Sequence, residues 1–445
     1  MKKPEQANKA KKKRVKKTGI QILTCKTQAI VGDDGMALLF GLLGFSATKL
    51  WNTAVWHAKE QWESTGKIPG NVALHHALKD TRWYRSLHAQ SSQALLEELW
   101  QSYKSWFKLR KKDAKAKPPG FRKKTSLSTV TFKKDSVRWC PLSKTLRLGI
   151  PDAVYGRKFI FLQVQMPPNA RIGCRDVQVV RLIEHDGQWT VHIVYEVVIP
   201  VMVPAGQTMA IDLGIKQMAA FACTDGQAGV YTGGELRALE RYFEKEKSGC
   251  TSSKSKKRRR LDSKRARQRH HFIHTLTRTI VRDAKARGVS AIIVGDLRDM
   301  RTGKDGEARD WGASGNQDLH KWPYQLIISQ IRYKSALEGI NVVVVSEAYT
   351  SQTCCICGTR GKANRVHRGL YVCKSCGATI HADVNGAANI LKKYLPEITV
   401  PWSSGCLAQP TVSRFAWRKT RPPGHKPGTW QDSKRTAASV NLLAV

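Results

Sequence analysis

The sequence predicts a multi-domain α+β protein, in which an antiparallel β-barrel with inserted helices precedes an α/β domain that carries a small metal-binding module. Three observations lead to this prediction. The chain has 445 residues, which is long for one ordinary domain. Short alternating strands dominate residues 124–203, whereas near-continuous apolar strands separated by helices follow residue 206. Two Cys-x-x-Cys pairs then occur at metal-binding spacing.

The charge of the chain indicates a polyanionic partner. Seventy-six Lys and Arg stand against 34 Asp and Glu, which gives a formal net charge of +42. Such self-repulsion is offset best by nucleic acid. A membrane surface is the weaker alternative, because the longest apolar run, Met36 to Phe45, has about half the length that spans a bilayer. No signal peptide is recognised, and the odd number of cysteines, 11, favours a reducing, cytoplasmic compartment.

The first part of the chain predicts a basic arm, a strand and helices. Residues 1–17 carry nine Lys or Arg and are expected to be disordered. Residues 18–30 are rich in β-forming residues and predict a strand. Apolar residues at helical spacing predict three helices, over residues 35–64, 71–87 and 90–112. Pro118-Pro119-Gly120 marks the boundary that follows them.

Residues 124–203 are typical of a small antiparallel barrel. Two alternating segments, Val179–Ile183 and Val191–Tyr195, flank His185-Asp186-Gly187, which is a hairpin signal. The opening strand can belong to the same barrel, with the helices inserted after it.

From residue 206 the pattern predicts an RNase H-like sheet. Three antiparallel strands are expected first, at 209–214, 217–223 and 229–232. A long basic helical stretch over 235–288 precedes two apolar strands, 291–294 and 342–345, with a helix at 321–338 between them. Apolar strands joined through a helix pair in parallel and are buried on both faces. After residue 396 the chain loses periodicity and is expected to be disordered.

The cysteine pairs predict a structural zinc ribbon. Cys354-x-x-Cys357 is followed after fifteen residues by Cys373-x-x-Cys376, and each pair continues into a glycine. Four thiolates close a tetrahedral site and leave no open position, so this zinc would stabilise the fold rather than catalyse. The neighbouring Cys355 is a competing ligand, although the two-residue spacing favours Cys354. Arg365, His367 and Arg368 lie between the pairs and are candidates for nucleic-acid contact or for simple solvent exposure.

Two acids are candidates for a magnesium site. Asp212 ends an otherwise apolar strand, where an unpaired carboxylate is costly. Asp383 lies seven residues after the last zinc ligand, just before a predicted helix. Two Mg²⁺ ions held by carboxylates can activate water and stabilise the leaving oxygen in phosphodiester hydrolysis. The competing interpretations are a buried ion pair for Asp212 and a helix N-cap for Asp383.

Three segments together resemble the transposon-encoded TnpB proteins and the related compact type V CRISPR effectors. They are Asp212-Leu213-Gly214-Ile215-Lys216, then Tyr349–Cys354 with the zinc ribbon, and Asp383-Val384-Asn385-Gly386-Ala387-Ala388-Asn389-Ile390. The resemblance is most specific over residues 206–395. The segment Pro118–Lys123 and the order of strand, helices and barrel before it fit the family more loosely.

This resemblance implies an RNA-guided DNA endonuclease whose partners are a guide RNA and a target DNA, acting as a monomer or homodimer. It implies a domain for each part of the chain. These domains are a wedge barrel (18–34 and 118–205), a helical recognition domain (35–117), a RuvC nuclease domain (206–350 and 381–396), a zinc-bearing nucleic-acid-binding module (351–380) and a disordered tail (397–445).

One position departs from the family pattern. The family usually has a Glu at the end of the fourth strand of the nuclease domain, where this chain has Gly295. The nuclease is then either inactive or supplied with a replacement acid. Glu347 is the favoured replacement, because it ends the neighbouring parallel strand and some relatives show such a rearranged Glu. Asp296 is a weaker candidate, since the next residue of a strand points to the opposite face.

A basic run predicts contact with nucleic-acid phosphates. Residues 254–269 hold ten Lys or Arg and one acid, on a predicted helix. The expected cargo is an RNA–DNA heteroduplex that is bound through its backbone. The residues predicted to make this contact are Lys256, Lys257, Arg258, Arg259, Arg260, Lys264 and Arg265. The tryptophans of the first helix, Trp51, Trp56 and Trp62, are assigned to the core rather than to base stacking.

The leading interpretation is therefore RNA-guided, Mg²⁺-dependent cleavage of DNA by Asp212, Glu347 and Asp383. The alternative is a nuclease-dead, RNA-guided DNA-binding protein, and Gly295 is the feature that favours it. A third interpretation is a transposase or a Holliday-junction nuclease on the same fold, which needs no guide RNA.

Overall fold

The structure is a computed structural model, and it describes residues 19–166, 172–185, 187–201, 206–215, 217–252, 255–297, 312, 322–367, 369–400, 402 and 404–413. The predicted basic arm, residues 1–17, lies outside them. The chain divides at residue 198 into two compact units. Among the described residues, no helix is long and apolar enough to cross a membrane.

A seven-stranded antiparallel sheet organises the first unit. Its strands are β1 (Ile20–Ile30), β2 (Val130–Lys133), β3 (Val137–Cys140), β4 (Thr145–Gly149), β5 (Phe159–Val164), β6 (Val177–His185) and β7 (Gln188–Val198). They lie in the order β2-β6-β7-β1-β5-β4-β3, so the opening strand does join the later ones, as expected. The edge strands β2 and β3 are consecutive in the chain and are linked by the three-residue turn Lys134–Ser136. No ladder between these two edges is found among the described strands.

The helices of the first unit are inserted between β1 and β2. They are α1 (Asp34–Thr65), α2 (Asn71–Leu78), α3 (Arg82–Arg85) and α4 (Ala89–Arg110), and a short α5 (Asp152–Tyr155) follows β4. Helix α1 begins where the Asp33 side chain accepts a hydrogen bond from the amide of Met36, and it ends at Gly66, whose φ is 65°. The apolar faces of these helices share one hydrophobic core with the inner face of the sheet.

The second unit is built on a six-stranded mixed sheet. Its strands are β8 (Gln207–Asp212), β9 (Gln217–Cys223), β10 (Ala228–Thr232), β11 (Val289–Asp296), β12 (Asn341–Ser346) and β15 (Thr411–Ser413), in the order β12-β11-β8-β9-β10-β15. Strands β8, β9 and β10 are antiparallel, whereas β11 is parallel to β8 and β12 to β11. This is the strand arrangement that the sequence predicts.

Helices cover both faces of this sheet. They are α6 (Gly234–Ser248), α7 (Lys256–Ala286), α8 (Tyr324–Leu337) and α9 (Ala382–Tyr394). Met209 and Ile211 of β8 pack with α6, α7 and α8 in one core. Ala210, between them, packs with Ile390 and Leu391 of α9. Because successive strand residues face opposite sides, α9 lies on the face opposite to the other three helices.

The zinc module and the tail complete the second unit. Strands β13 (Leu370–Val372) and β14 (Thr379–His381) form a short hairpin that leads directly into α9. A short helix, α10 (Ser404–Ala408), precedes β15, which pairs in parallel with β10.

Three predicted elements differ from the structure. The stretch 71–87 is two helices, α2 and α3, and the stretch 235–288 is also two, α6 and α7. The tail is predicted to be disordered from residue 397, but it is ordered over 404–413. The reason is that β15 forms hydrogen bonds with the edge strand β10. The first-helix tryptophans also divide, since Trp51 is buried at 6% exposure whereas Trp56 is 55% exposed and Trp62 36% exposed.

Candidate metal centres and nucleic-acid interface

Asp212 is the last residue of β8 and faces helix α9. A Cβ atom placed on Gly386 of α9 would lie 2.2 Å from Oδ2 of Asp212. Any side chain at position 386 would therefore displace this carboxylate. The glycine in the segment after Asp383 makes room for the acid on β8, which brings the two predicted acids together.

Glu347 follows β12 directly, and its carboxylate lies over Gly295. Gly295 pairs with Val345 in the parallel ladder between β11 and β12. A Cβ atom on Gly295 would lie 2.4 Å from Oε2 of Glu347 and 3.3 Å from its Cβ. The carboxylate of Glu347 thus fills the space that a side chain at position 295 would need.

Asp383 is the second residue of α9 and pairs with a residue of the zinc module. Nη2 of Arg365 donates a hydrogen bond to Oδ1 of Asp383 at 3.0 Å. The N-cap residue of α9 is His381, which makes no side-chain cap hydrogen bond. Asp383 is therefore not the helix cap that the sequence left open as an alternative.

The three acids influence one another electrostatically. The pKa of Asp212 is raised to about 7, first by burial and second by the charge of Asp383, while Arg365 opposes the rise. Burial also raises the pKa of Glu347 to about 9, with contributions from Asp212 and Asp296 and an opposing effect of Lys393. The carboxylates are close enough to repel one another when charged, which is the arrangement that a bound cation relieves.

These residues fit a divalent-metal site. Oε2 of Glu347 is buried and accepts no hydrogen bond among the described residues. A buried acceptor without a donor is costly, and an oxygen-preferring cation such as Mg²⁺ satisfies it. The three carboxylates are more widely spread than the ligands of one compact site, because only the four cysteines bring three or more possible ligand atoms within 4.8 Å of one another in the described part of the chain. Such a spread suits a pair of ions.

The four predicted zinc ligands do converge. Sγ of Cys354 lies 3.8 Å from that of Cys376, and Sγ of Cys357 lies 3.5 Å from that of Cys373. Four sulfurs at about 2.3 Å from a tetrahedral zinc would be separated by about 3.8 Å. Each knuckle turns at a glycine with positive φ, 76° at Gly358 and 71° at Gly377. The cluster could therefore hold zinc, and Cys355 lies outside it.

The predicted basic run forms the start of helix α7. Three of its described residues pair with acids: Arg258 with Asp262 at 3.7 Å, Arg265 with Glu240 of α6, and Arg269 with the same Glu240 at 3.7 Å. The other residues predicted to bind nucleic acid are exposed, namely Lys256, Lys257, Arg259, Arg260 and Lys264. Arg265 thus helps to hold α7 against α6, and Arg258 does so by donating to the carbonyl of Lys247 at 3.0 Å. The exposed five form the outer face of the helix.

Several features of the site are not found by motif reasoning. The role of Gly386 is one, because this residue lies in the recognised motif but its role depends on the approach of β8. Lys393 is a second, since its Nζ donates to carbonyl oxygens on both sides of Glu347. The sequence predicts only nucleic-acid contact or solvent exposure for Arg365, and no spacing rule connects it to Asp383.

Two known families match parts of the chain. Residues 324–390 match the family described as "Cas12f1-like, TNB domain", and residues 192–301 match the family described as "Probable transposase". Together the two segments include all three acids and all four cysteines of the candidate sites.

Curated relatives are similar over different parts of the chain. The CRISPR-associated endodeoxyribonuclease Cas12f1 of Sulfoacidibacillus thermotolerans is 28% identical over 41% of this chain and 44% of its own length. The protein named "Putative RNA-guided DNA endonuclease InsQ", from Escherichia coli K12, is 25% identical over 70% of this chain and 76% of its own. The TnpB-like protein ORF457 of Acidianus two-tailed virus is 29% identical over 43% and 42%. The chain thus spans less than half of two of these relatives.

A solved structure shares the fold. It is the cryo-EM structure of a Cas12f1–sgRNA–target DNA complex, with a TM-score of 0.53 and 16% sequence identity over 81% of this chain and 83% of that one. This likeness shows a common mixed α/β fold. With the matching families and relatives, it confirms the resemblance of the chain to the TnpB proteins and the compact type V effectors.

Proposed function

We propose that the protein is an RNA-guided DNA endonuclease that hydrolyses phosphodiester bonds of a target DNA in a divalent-metal site formed by Asp212, Glu347 and Asp383. The strand order of the second unit supports an RNase H-like, RuvC-type nuclease domain with an inserted zinc module. The names of the curated relatives support the guided reaction. The first unit would supply the wedge barrel and the helical recognition domain.

The contact between Gly295 and Glu347 carries this proposal. A catalytically dead chain has no need to keep a carboxylate at this point of the sheet. Here the loss of an acid at position 295 is matched by a Glu from the next strand, whose Oε2 lies where a residue-295 side chain would begin. The charge of Asp212 acts on the carboxyl group of Glu347, which supports a site of three carboxylates with Asp383.

The residues of the chain divide the work of the reaction. Asp212, Glu347 and Asp383 would hold Mg²⁺, which supplies a nucleophilic water and stabilises the leaving oxygen when it is bound. Because burial raises the pKa values of Asp212 and Glu347, binding of a metal ion by these acids would release protons. Arg365 brings a positive charge to the edge of the same group, where a phosphate would lie. The exposed basic residues of α7 would bind the nucleic-acid backbone, and the four cysteines would hold zinc.

Guided cleavage by point variants tests the proposal. The protein would be expressed with the genomic DNA that flanks its gene, so that it is purified with its own RNA. Cleavage of a duplex complementary to that RNA is then measured in Mg²⁺ for the wild type, Asp212→Ala and Glu347→Ala, beside a binding assay. Glu338→Ala is the matched control, because Glu338 is an acid of the same unit that pairs with Lys285.

We expect both site variants to bind the duplex and to lose more than about 100-fold in cleavage rate, since removal of a partner that only orients a metal ligand already costs about 10- to 100-fold. Glu338→Ala should cut like the wild type. A wild type that binds the guided duplex and never cuts would instead identify a nuclease-dead DNA-binding protein. Cleavage without any co-purifying RNA would favour an unguided junction nuclease or transposase.

A further inference from the structure

Helix α9 carries a row of polar side chains that binds the backbone of the segment leading from β12 to the first zinc knuckle. The row, here called the α9 seam, consists of Asn385, Asn389 and Lys393. These residues are four apart, so they lie on one face of the helix. The motif that contains the two asparagines was noted in the sequence, but the catalytic proposal gives them no role.

The contacts of the seam run in order along the segment. Asn385 donates to the carbonyl of Thr353 at 2.7 Å and accepts from the amide of Cys355 at 2.9 Å. Asn389 donates to the carbonyls of Thr350 at 2.9 Å and Thr353 at 2.6 Å. The segment therefore follows the helix, with its zinc end at Asn385 and its other end at Lys393.

Lys393 closes the seam at Glu347. Its Nζ donates to the carbonyl of Ser346 at 3.2 Å and to that of Ala348 at 2.5 Å, which are the residues on either side of Glu347. The carbonyl of Glu347 itself accepts from the amide of Thr350 at 3.1 Å and from its hydroxyl at 2.8 Å. Three successive carbonyl groups at Glu347 are thus tied down.

The turn that is held in this way is a strained one. Tyr349 has a φ of 67°, in the left-handed region that a residue with a side chain seldom adopts. Such a turn persists only when its surroundings determine it. Lys393 lies in the last turn of α9 and is largely exposed, so its ammonium group would otherwise be solvated. Its hydrogen bonds to two backbone carbonyl groups indicate that it positions the turn at Glu347.

We propose that Lys393 is a positioning residue of the nuclease site, which fixes the Glu347 carboxylate over Gly295 by binding the backbone on both sides of Glu347. The inference rests on the proposed function, because it assigns Glu347 to the metal site. It explains why a Glu that follows the strand, rather than one within it, can be held as firmly as a strand residue. Helix α9 then organises all three acids: Asp383 is on it, Asp212 lies in the notch at Gly386, and Glu347 is held by Lys393.

The test compares Lys393→Met with Lys393→Arg and Lys392→Met in the RNA-bound full chain. Lys393→Met keeps the aliphatic stem and removes the donors, and Lys393→Arg keeps donors. Lys392→Met is the matched control, because Lys392 is the neighbouring lysine of the same helix and lies over the Trp402 ring instead. Guided cleavage is measured against Mg²⁺ concentration, together with duplex binding and thermal stability.

We expect Lys393→Met to cut about 10- to 100-fold more slowly, which is the usual effect of removing a partner that orients a metal ligand. Half-saturation should move to higher Mg²⁺, duplex binding should stay within about twofold, and Lys393→Arg should recover part of the rate. The inference is overturned if Lys393→Met matches Lys392→Met in rate and Mg²⁺ dependence, or if it loses duplex binding and thermal stability in proportion to rate.

A wild type that does not cut would count against the proposed function. Mn²⁺ binding, followed by electron paramagnetic resonance in wild type and Lys393→Met, would then decide the inference: weaker binding in the variant supports it, and equal binding or none in either protein overturns it.

Discussion

At the scale of single residues, two glycines determine where the acids lie. Gly386 leaves a notch in α9 for Asp212, and Gly295 leaves a space between strands for Glu347. In both places the Cβ atom of any other residue would lie within 2.4 Å of a carboxylate oxygen. Gly295 stands where the family has a Glu, but its lack of a side chain is what leaves space for the carboxylate of Glu347.

An exchange of acid between the two strands tests this pairing. Gly295→Ala should lose most guided cleavage, because its Cβ would displace the Glu347 carboxylate from its present position. Gly295→Glu combined with Glu347→Ala should recover at least about a tenth of the wild-type rate, since it returns the acid to β11 and removes the side chain that occupies the space. The measurement is guided cleavage in Mg²⁺.

Glu347→Ala alone is the reference for this exchange, because the double variant must exceed it to show rescue. Gly229→Ala is a matched glycine control. Its Cβ would also crowd a neighbour, the Phe221 ring, but it lies on β10 away from the acids. A double variant that is no more active than Glu347→Ala would show that the two positions do not supply the same ligand.

At the scale of elements, the sequence predicts those helices and strands that have a regular spacing of apolar residues. Strands β6, β7, β9 and β10 and helices α1 and α4 were expected close to their observed bounds, because each buries one regular face or both. The break between α2 and α3 and the strand β15 were missed. The pairing of β15 with β10 depends on an open sheet edge about 180 residues earlier in the chain, which no local pattern contains.

The candidate site shows the same division. The residues Asp212, Asp383 and the four cysteines carry recognisable contexts, namely a polar strand end, a helix start and paired knuckles. Glu347 could be recognised only because the usual Glu of the family is replaced by Gly295 on the neighbouring strand. Lys393 and the pairing of Arg365 with Asp383 follow from tertiary contacts between α9 and two other segments, so sequence spacing alone could not reveal them.

Unfolding of the zinc module should affect residues outside the module itself. Its short hairpin of β13 and β14 has little core of its own, so a bound zinc ion would supply much of its folding free energy. The module also carries Arg365, and its first knuckle is bound by Asn385 of the seam. Loss of zinc should therefore disturb the N-terminal part of α9, where Asp383 and Asn385 lie.

Cys376→Ser should lower the zinc content by about one ion per chain and reduce guided cleavage at least about tenfold. Cys355→Ala is the control: Cys355 is buried beside the first ligand, but its sulfur lies outside the cluster of four. It should keep both zinc and activity. Metal content by mass spectrometry and guided cleavage are the measurements, and zinc loss in Cys355→Ala would reassign the ligand in the first knuckle.

At the scale of the whole molecule, the net charge of +42 favours a polyanionic partner, and the number of phosphates that the cations contact would set the salt dependence of nucleic-acid binding. Some of the cationic side chains pair with acids, and others are exposed. In α7, Arg258 and Arg265 are engaged by Asp262 and by Glu240, whereas the outer residues of the same helix are exposed. A surface of this kind is expected to contact phosphates through several cations at once and to read no sequence.

Replacement of Lys256, Lys257, Arg260 and Lys264 by Ala should weaken binding of the guided duplex and lower the slope of log K against log salt by about 3, since each phosphate contact contributes about 0.7 to 0.9. The control removes four exposed cations of the first unit, Lys59, Lys67, Lys79 and Arg85, and so makes the same change in net charge. If binding depended on net charge alone, the two variants would behave alike. A reduced slope confined to the α7 variant would assign phosphate contact to this helix, and an unchanged slope in that variant would remove α7 from the interface.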